Sequence, residues 1–227
     1  ITSKYQDTTS GVFQHLRPGF TITFRDCLVL MIIVSDNTCT GTVAEMVGLD
    51  RINALCRAIG MVGTTHRHGT PPKGLPPDHG VEAVNATTPN DVGLLLGLIL
   101  QGAEDAAVAA RLGSTPEHCR LALEILSWQN LRTRLPSLLP EGTRVAHKTG
   151  TGSTGRRCYN DAGIVYRGDR PLFILSAYTD RVPAELPDGT PGFAAAAGLI
   201  GRMARAAYDA LSPRHVPEGL VSEASGT

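Results

Sequence analysis

The sequence predicts an α+β fold, with a cluster of helices, a short antiparallel sheet and a last helix packed on that sheet. Helical hydrophobic spacing dominates the first 130 residues, three strand-like runs follow Pro140, and residues 192–211 return to helical spacing. Because helices and strands occupy separate blocks, the α+β class is favoured over alternating α/β units. A length of 227 residues with 42% hydrophobic content is enough for one core, so we expect a single domain over residues 1–227.

The first helices are predicted from capping residues and glycines. The run TITFRDCLVLMIIV has a hydroxyl cap at Thr21 or Thr23, and its continuous apolar content predicts a buried helix. Helical spacing over residues 38–47 ends at Gly48, and Asp50 is placed to cap a third helix.

Residues 63–85 interrupt this pattern. Glycine, proline and histidine dominate the segment and no periodicity survives, which predicts a long irregular loop of the kind that is often functional. Two candidate helix N-termini follow, TTPND and STPEH, and each has a hydroxyl cap before a proline at the first helical position. They predict helices near residues 89–101 and 116–129.

The last third of the chain changes period. The runs TRVAHKTGT, NDAGIVYRG and RPLFILSAYTD predict three strands of an antiparallel meander. A long helix over residues 192–211 can pack on that sheet, and the tail at 213–227 is expected to be disordered.

Composition excludes several classes of partner. The 21 basic and 21 acidic residues balance, so no net field favours nucleic acid or an anionic membrane. No apolar run is long enough to span a membrane, and the N-terminal residues lack a signal-peptide pattern. The five cysteines include no C-x-x-C pair, which argues against a disulfide framework and most zinc modules.

The compartment stays open at this stage, because free cysteines favour a reducing environment but a mature exported chain would also lack its signal. No cofactor is expected. The loop histidines His66, His68 and His79 lie near Asp78, but intervening prolines break any helical ligand spacing. We therefore interpret them as solvated loop residues and predict no metal site.

The stretch AHKTGTGSTG at residues 146–155 has three interpretations. The sequence excludes a phosphate-binding loop, because the lysine precedes most of the glycines and a strand follows where such a loop needs a helix. A plain glycine-rich hairpin remains open. The third interpretation is one wall of an acyl-transfer site, where glycine lets a substrate approach the strand and Lys148 offers a positive charge.

A second polar cluster, Ser35-Asp36-Asn37, lies between two apolar helices. Together with His-Lys-Thr-Gly on a strand before the terminal helix, it resembles the class A β-lactamases and related penicillin-binding serine hydrolases, whose motifs are S-x-x-K, S-D-N and K-T-G. The similarity extends from about residue 8 to 211 and includes the stretches NATTPNDVGLLL and RTRLPSLLPEGTRVAHKTGTGS. It implies a β-lactamase-like fold.

The resemblance also implies roles for particular residues. Ser35 would relay a proton toward the leaving nitrogen with the help of Lys148, and Asn37 would hydrogen-bond the substrate's side-chain amide. Thr149 would bind a substrate carboxylate, next to Gly150 on the open strand. The backbone N–H of Thr151 would supply half of an oxyanion hole. Periplasmic or secreted placement would follow from the same resemblance.

The chain departs from the family pattern in two ways. No Ser-x-x-Lys occurs anywhere, so the family's nucleophile helix and the early strands of its sheet have no counterpart here, and a second copy or an N-terminal segment is expected to complete the sheet. The Thr70-Pro-Pro-Lys73 match is proline-rich and is discounted. The class A deacylating glutamate also lacks a counterpart, because Glu82 and Asn85 stand at the end of the loop.

These features predict a serine hydrolase acting on a β-lactam or a related amide through a covalent ester. The alternatives are a penicillin-binding or peptidase-type relative with slow turnover, and a catalytically inactive domain that binds a carboxylate ligand or a partner.

Overall fold

The computed structural model describes residues 1, 3–6, 10–19, 21–76, 78–152 and 156–212. Over these residues the α+β prediction is confirmed, with helices followed by an antiparallel sheet and a last helix. The expected disordered tail at 213–227 lies outside the described residues. The elements are Phe24–Ile33 (α1), Asn37–Val47 (α2), Leu49–Ile59 (α3), Pro89–Gly102 (α4), Ala106–Arg111 (α5), Pro116–Ser127 (α6), Val145–Gly152 (β1), Cys158–Arg167 (β2), Arg170–Ala177 (β3) and Gly192–Leu211 (α7).

Threonine caps begin three of these helices, as predicted. The side chains of Thr23, Thr88 and Thr115 each accept a backbone N–H from the first turn of α1, α4 and α6. Pro89 and Pro116 occupy the first helical positions, where a missing N–H costs no hydrogen bond. Local chemistry therefore decides where these helices start.

One prediction about the helices is wrong, and one helix was missed. Asp50 does not cap α3, because Gly48 at φ 87° both ends α2 and precedes Leu49, the first helical residue. The short helix α5 was not predicted from the sequence. It begins where the Asp105 side chain accepts the backbone N–H groups of Ala107 and Val108, and six residues are too few for a recognisable period.

Helix α1 is not the fully buried helix that its apolar sequence predicts. Only Cys27 is buried, and Phe24 is 46% exposed. The reason is that Phe24, Leu28 and Met31 border a cavity of about 950 Å³ between α1, α4, α6 and the sheet. An apolar sequence shows that a helix face avoids water, but not what covers that face.

The sheet has the order β1-β2-β3 and is packed on both faces. Ala146, Ala162 and Ile164 face α4 and α6, whereas Val145 and Val165 face α7. We call these the α4/α6 face and the α7 face. Since side chains alternate along a strand, His147 and Asp161 belong to the α7 face, and Lys148 belongs to the α4/α6 face.

Within the described part of the chain, β1 and β3 are the edge strands, each hydrogen-bonded to β2 on one side. The outer edge of β1 carries Lys148, Thr149 and Gly150, and it opens next to the cavity. Among these described residues, no helix has the length and apolar content needed to cross a membrane.

Candidate active site

The turn between α1 and α2 is held by a buried carboxylate. Asp36 is fully buried and caps α2 by accepting the backbone N–H of Cys39 at 3.1 Å. Its other oxygen accepts the N–H groups of Val12 and Phe13 at 2.7 and 2.9 Å. Three N–H donors satisfy the buried charge and fasten residues 10–13 to the turn, so the neighbouring Ser35 has a fixed position.

Ser35 adopts a backbone conformation that side chains rarely take. Its φ is 56°, in the left-handed region, where only one other described residue besides glycines lies. Such a conformation costs roughly 1–3 kcal/mol and persists only where surrounding contacts impose it. Here Asp36 and the two flanking helices impose it, and the serine hydroxyl is directed toward β1.

Lys148 meets Ser35 across 113 residues of sequence. Its Nζ donates to Ser35 Oγ at 2.8 Å and to the carbonyl of Thr149 at 2.6 Å. The two residues that the sequence assigned to proton transfer are therefore in direct contact. Because Nζ has three protons, a third donor position is left for a ligand.

The environment of Lys148 favours loss of its charge. Burial lowers its pKa to about 8, and the positive charge of Arg134 acts in the same direction. The carboxylate of Asp161 opposes both effects and raises the pKa. The balance leaves an ammonium group able to change its protonation state near neutral pH.

The cavity beside this pair is almost entirely apolar. Helices α1, α4 and α6 contribute leucine, isoleucine, valine and phenylalanine side chains, while Lys148, Thr149, Gly150 and Asn160 form a polar rim. A concave apolar space with a few convergent polar groups is the usual form of a small-molecule site.

The remaining predicted residues lie around this rim. Asn37 is the first residue of α2, two positions after Ser35, and is partly exposed. Thr149 is 6% exposed, and Thr151 is exposed at the end of β1. A Cβ at Gly150 would meet Asn160 at an ordinary 3.7 Å, so internal packing does not require the glycine there.

Sequence reasoning missed Arg134. Its guanidinium is buried behind β1 and donates to the carbonyls of Gly150 and Asn160 at 2.6 Å each, and to Thr151 Oγ1. The ring of Tyr159 lies 5.8 Å away. This arginine precedes an unremarkable Leu-Pro-Ser stretch, and no motif marks it, because its partners are mostly backbone atoms from distant strands.

Sequence reasoning also missed the pair formed by His147 and Asp161. Both side chains are fully buried, and the Nδ1 of His147 lies 2.9 Å from Asp161 Oδ1. The backbone N–H of Leu135 donates to the other carboxylate oxygen at 3.0 Å. The register could have revealed the pair, since Thr149 and Asp161 face each other and His147 shares their side of the sheet.

The irregular loop is held together by amide side chains. Asn85 accepts the N–H groups of Arg67 and His68 and donates to the His68 carbonyl, which joins the two arms of the loop. Glu82 lies in an exposed single turn at Val81–Ala83. Over the described residues, no three His, Cys, Asp or Glu side chains converge as metal ligands would.

Comparisons with known proteins agree with this arrangement. The family described as the Beta-lactamase enzyme family matches residues 1–211. A β-lactamase structure from Sphaerobacter thermophilus DSM 20745 is 30% identical with a TM-score of 0.71, over 90% of this chain and 70% of that one. No curated protein matches.

Two further structures share the fold at lower identity. A mutant of PBP-A is 23% identical with a TM-score of 0.70, over 92% of this chain and 69% of its own. A class A β-lactamase from Bacteroides cellulosilyticus DSM 14838 is 21% identical with a TM-score of 0.66, over 85% and 65% respectively. From the match over residues 1–211 and the 30% identical structure, the chain belongs to the beta-lactamase enzyme family.

Proposed function

We propose that the protein is a serine hydrolase of the β-lactamase type, which opens a β-lactam or a related amide through a serine ester. The single observation that carries the proposal is the contact of 2.8 Å between Lys148 Nζ and Ser35 Oγ at the rim of an apolar cavity. Family membership supports the same reaction class.

Proton delivery is the role that this contact supports. An amide nitrogen leaves poorly unless it is protonated, and a positioned donor typically contributes about 10²–10⁴-fold. Ser35 passes its hydroxyl proton to the nitrogen while the Lys148 ammonium replenishes it and stabilises the developing charge on Oγ. The pKa of about 8 makes Lys148 a better donor than an ordinary lysine.

Substrate binding is proposed for the open edge of β1. A carboxylate on the substrate would be held by Thr149 and by the positive charges of Lys148 and Arg134. Asn37 would bind the substrate's amide. Gly150 lines the cavity and has no side chain, so the acyl group could lie against the strand there. The Thr151 N–H would then donate to the carbonyl oxygen as it becomes negative.

The nucleophile is proposed to come from outside the present sequence, which contains no Ser-x-x-Lys. An N-terminal segment would cover the apolar helix faces of the cavity, leave its polar rim to the substrate, and place a serine within hydrogen-bond reach of Ser35 or Lys148. A second copy could cover the same faces, but it would bring no Ser-x-x-Lys, since it has this same sequence. The apolar lining of the cavity supports a helix as its occupant, because helix faces bury well against such surfaces.

A second candidate is a slow-turnover, penicillin-binding relative. The observation that favours it is the loop, where the exposed Glu82 is the only glutamate and Asn85 is committed to joining backbone groups. The similar PBP-A mutant was solved as an acyl-enzyme complex with penicillin G. By analogy, an ester on this protein would persist.

Mass spectrometry of the full-length protein mixed with penicillin G tests both candidates. We expect a covalent adduct, stable for minutes or longer, because the only glutamate of the loop, Glu82, is exposed at Val81–Ala83 and Asn85 is committed to backbone groups. The Lys148→Ala variant, compared at equal protein concentration, should form the adduct much more slowly. Rapid hydrolysis without an adduct would contradict slow turnover. If no adduct and no hydrolysis were observed, the result would favour the inactive binding domain.

A further inference from the structure

The buried pair of His147 and Asp161 lies directly behind the catalytic lysine. Lys148 follows His147 on β1, but its side chain emerges on the opposite face of the sheet. Both members of the pair are fully buried, so water does not screen the charge of the Asp161 carboxylate. Asp161 lies directly across from Thr149 on β2, next to the position of Lys148, yet neither member of the pair lines the substrate cavity.

Hydrogen bonding fixes where the protons are in this pair. An ionised carboxylate only accepts, and Asp161 already accepts the N–H of Leu135 at Oδ2. The Nδ1 atom of His147 must therefore carry the proton of the 2.9 Å hydrogen bond. The Nε2 atom of His147 is buried and has no hydrogen-bond partner among the described residues. A proton on Nε2 would therefore create a buried N–H without an acceptor, which costs free energy.

The charges around the pair argue for a neutral imidazole. Lys148 and Arg134 are both cationic, and Arg134 is buried on the same face of the sheet as Asp161. Asp161 raises the pKa of both cations, opposing the effect of their burial. A third positive charge on His147 would leave one carboxylate to compensate three buried cations.

We propose that Asp161 is the counter-charge that keeps Lys148 in its ammonium form, and that a neutral His147, protonated at Nδ1, positions the Asp161 carboxylate. Both are positioning residues, since neither reaches the cavity. The inference rests on the proposed function of Lys148 as a proton donor. With His147 neutral, the cluster of Lys148, Arg134 and Asp161 retains one net positive charge for a substrate carboxylate.

NMR of the full-length protein tests the proposal without requiring activity. Selective ¹³Cε labelling of lysine reports the titration of Lys148 directly, and the sequence here contributes only two other lysines, Lys4 and Lys73. In Asp161→Asn the amide keeps hydrogen-bonding capacity but loses the charge. We expect the pKa of Lys148 to fall by about half a unit or more.

Asp169→Asn is the matched control, because it removes an equal charge at the turn between β2 and β3. It should leave the Lys148 titration unchanged. A Lys148 titration that is the same in Asp161→Asn as in the wild type, with a native-like ¹H–¹⁵N spectrum, would overturn the counter-charge role.

The imidazole state is measured in the wild-type protein, so it does not depend on whether a variant folds. The ¹⁵N shifts of His147 should report a protonated Nδ1 and an unprotonated Nε2 at neutral pH. Protonation of Nε2, alone or together with Nδ1, would overturn the proposal. If the NMR results were as expected but the wild-type protein neither hydrolysed a β-lactam nor was acylated by it, the proposed function would be contradicted and the charge arrangement would not.

Discussion

At the scale of single residues, the site depends on a few side chains whose environments differ from those in water. The Ser35 and Lys148 pair could be predicted, because short motifs mark both residues. Arg134, His147 and Asp161 could not. These three residues hydrogen-bond to backbone carbonyls, to the N–H of Leu135 and to one another. Such partners can be identified only once the pairing register of the strands is known.

Activity of the full-length protein should depend on the charge of Lys148. We expect kcat/KM to decrease above about pH 8, because the ammonium form predominates below the pKa of about 8 and is lost as the pH rises through it. Replacing Lys148 by alanine should reduce kcat/KM by about 10²–10⁴-fold. Initial rates on a chromogenic β-lactam across pH 6–10 provide the measurement.

Lys148→Arg is the control for this prediction. Arginine keeps its charge throughout that pH range, so the alkaline decrease should disappear even if the rate is lower. A decrease at the same pH in the arginine variant would assign the titration to another group.

At the scale of elements, capping and periodicity predicted most of the chain. The Thr-Pro helix starts and the meander followed from local sequence and are confirmed. The errors at α3 and α5 arose where a glycine or a single aspartate sets a helix boundary. Burial of α1 was not predictable, because it depends on which element covers an apolar face.

The contact between β1 and β2 contains one tight point at Gly163. It pairs with His147, and a Cβ there would lie 2.4 Å from the His147 Cβ and 2.8 Å from the carbonyl of Ala146. Gly163→Ala should therefore destabilise the protein by about 1–3 kcal/mol through overpacking. Thermal or urea unfolding followed by circular dichroism would measure the loss.

Gly97→Ala in α4 provides a matched comparison. A Cβ at Gly97 would meet Ile174 Cδ1 at an ordinary 3.8 Å, and alanine is favoured over glycine in a helix by about 1 kcal/mol. This variant should be as stable as the wild type or more so. Equal destabilisation by both changes would show that the close approach at Gly163 is not what limits that position.

At the scale of the whole molecule, the sheet is covered on both faces, but the described residues leave three surfaces open. They are the apolar cavity of about 950 Å³ and the outer edges of β1 and β3. Unpaired strand edges and large apolar surfaces both promote association. The family pattern led us to expect an exposed sheet edge and apolar helix faces, but no local signal in the sequence could give their shape.

A chain of residues 1–227 expressed alone should therefore associate or bind an apolar dye such as ANS. Analytical ultracentrifugation over a range of concentrations and dye fluorescence provide the measurements, with the full-length protein as the comparison. If the 227-residue chain were monomeric, unfolded cooperatively and bound no dye, the proposed role of an additional segment or a second copy would be contradicted.

The burial of Lys148 also has a consequence for chemical labelling. A lysine with a pKa of about 8 is roughly half neutral at pH 8, whereas an ordinary lysine at 10.5 is neutral in well under about 1% of molecules. Only a neutral amine attacks an electrophile, so mild acylating or aldehyde reagents small enough to enter the cavity should modify Lys148 before Lys4, whose pKa is raised by Glu45. The same desolvation that suits Lys148 to proton transfer thus makes it an anchor for covalent inhibitors directed at an amine.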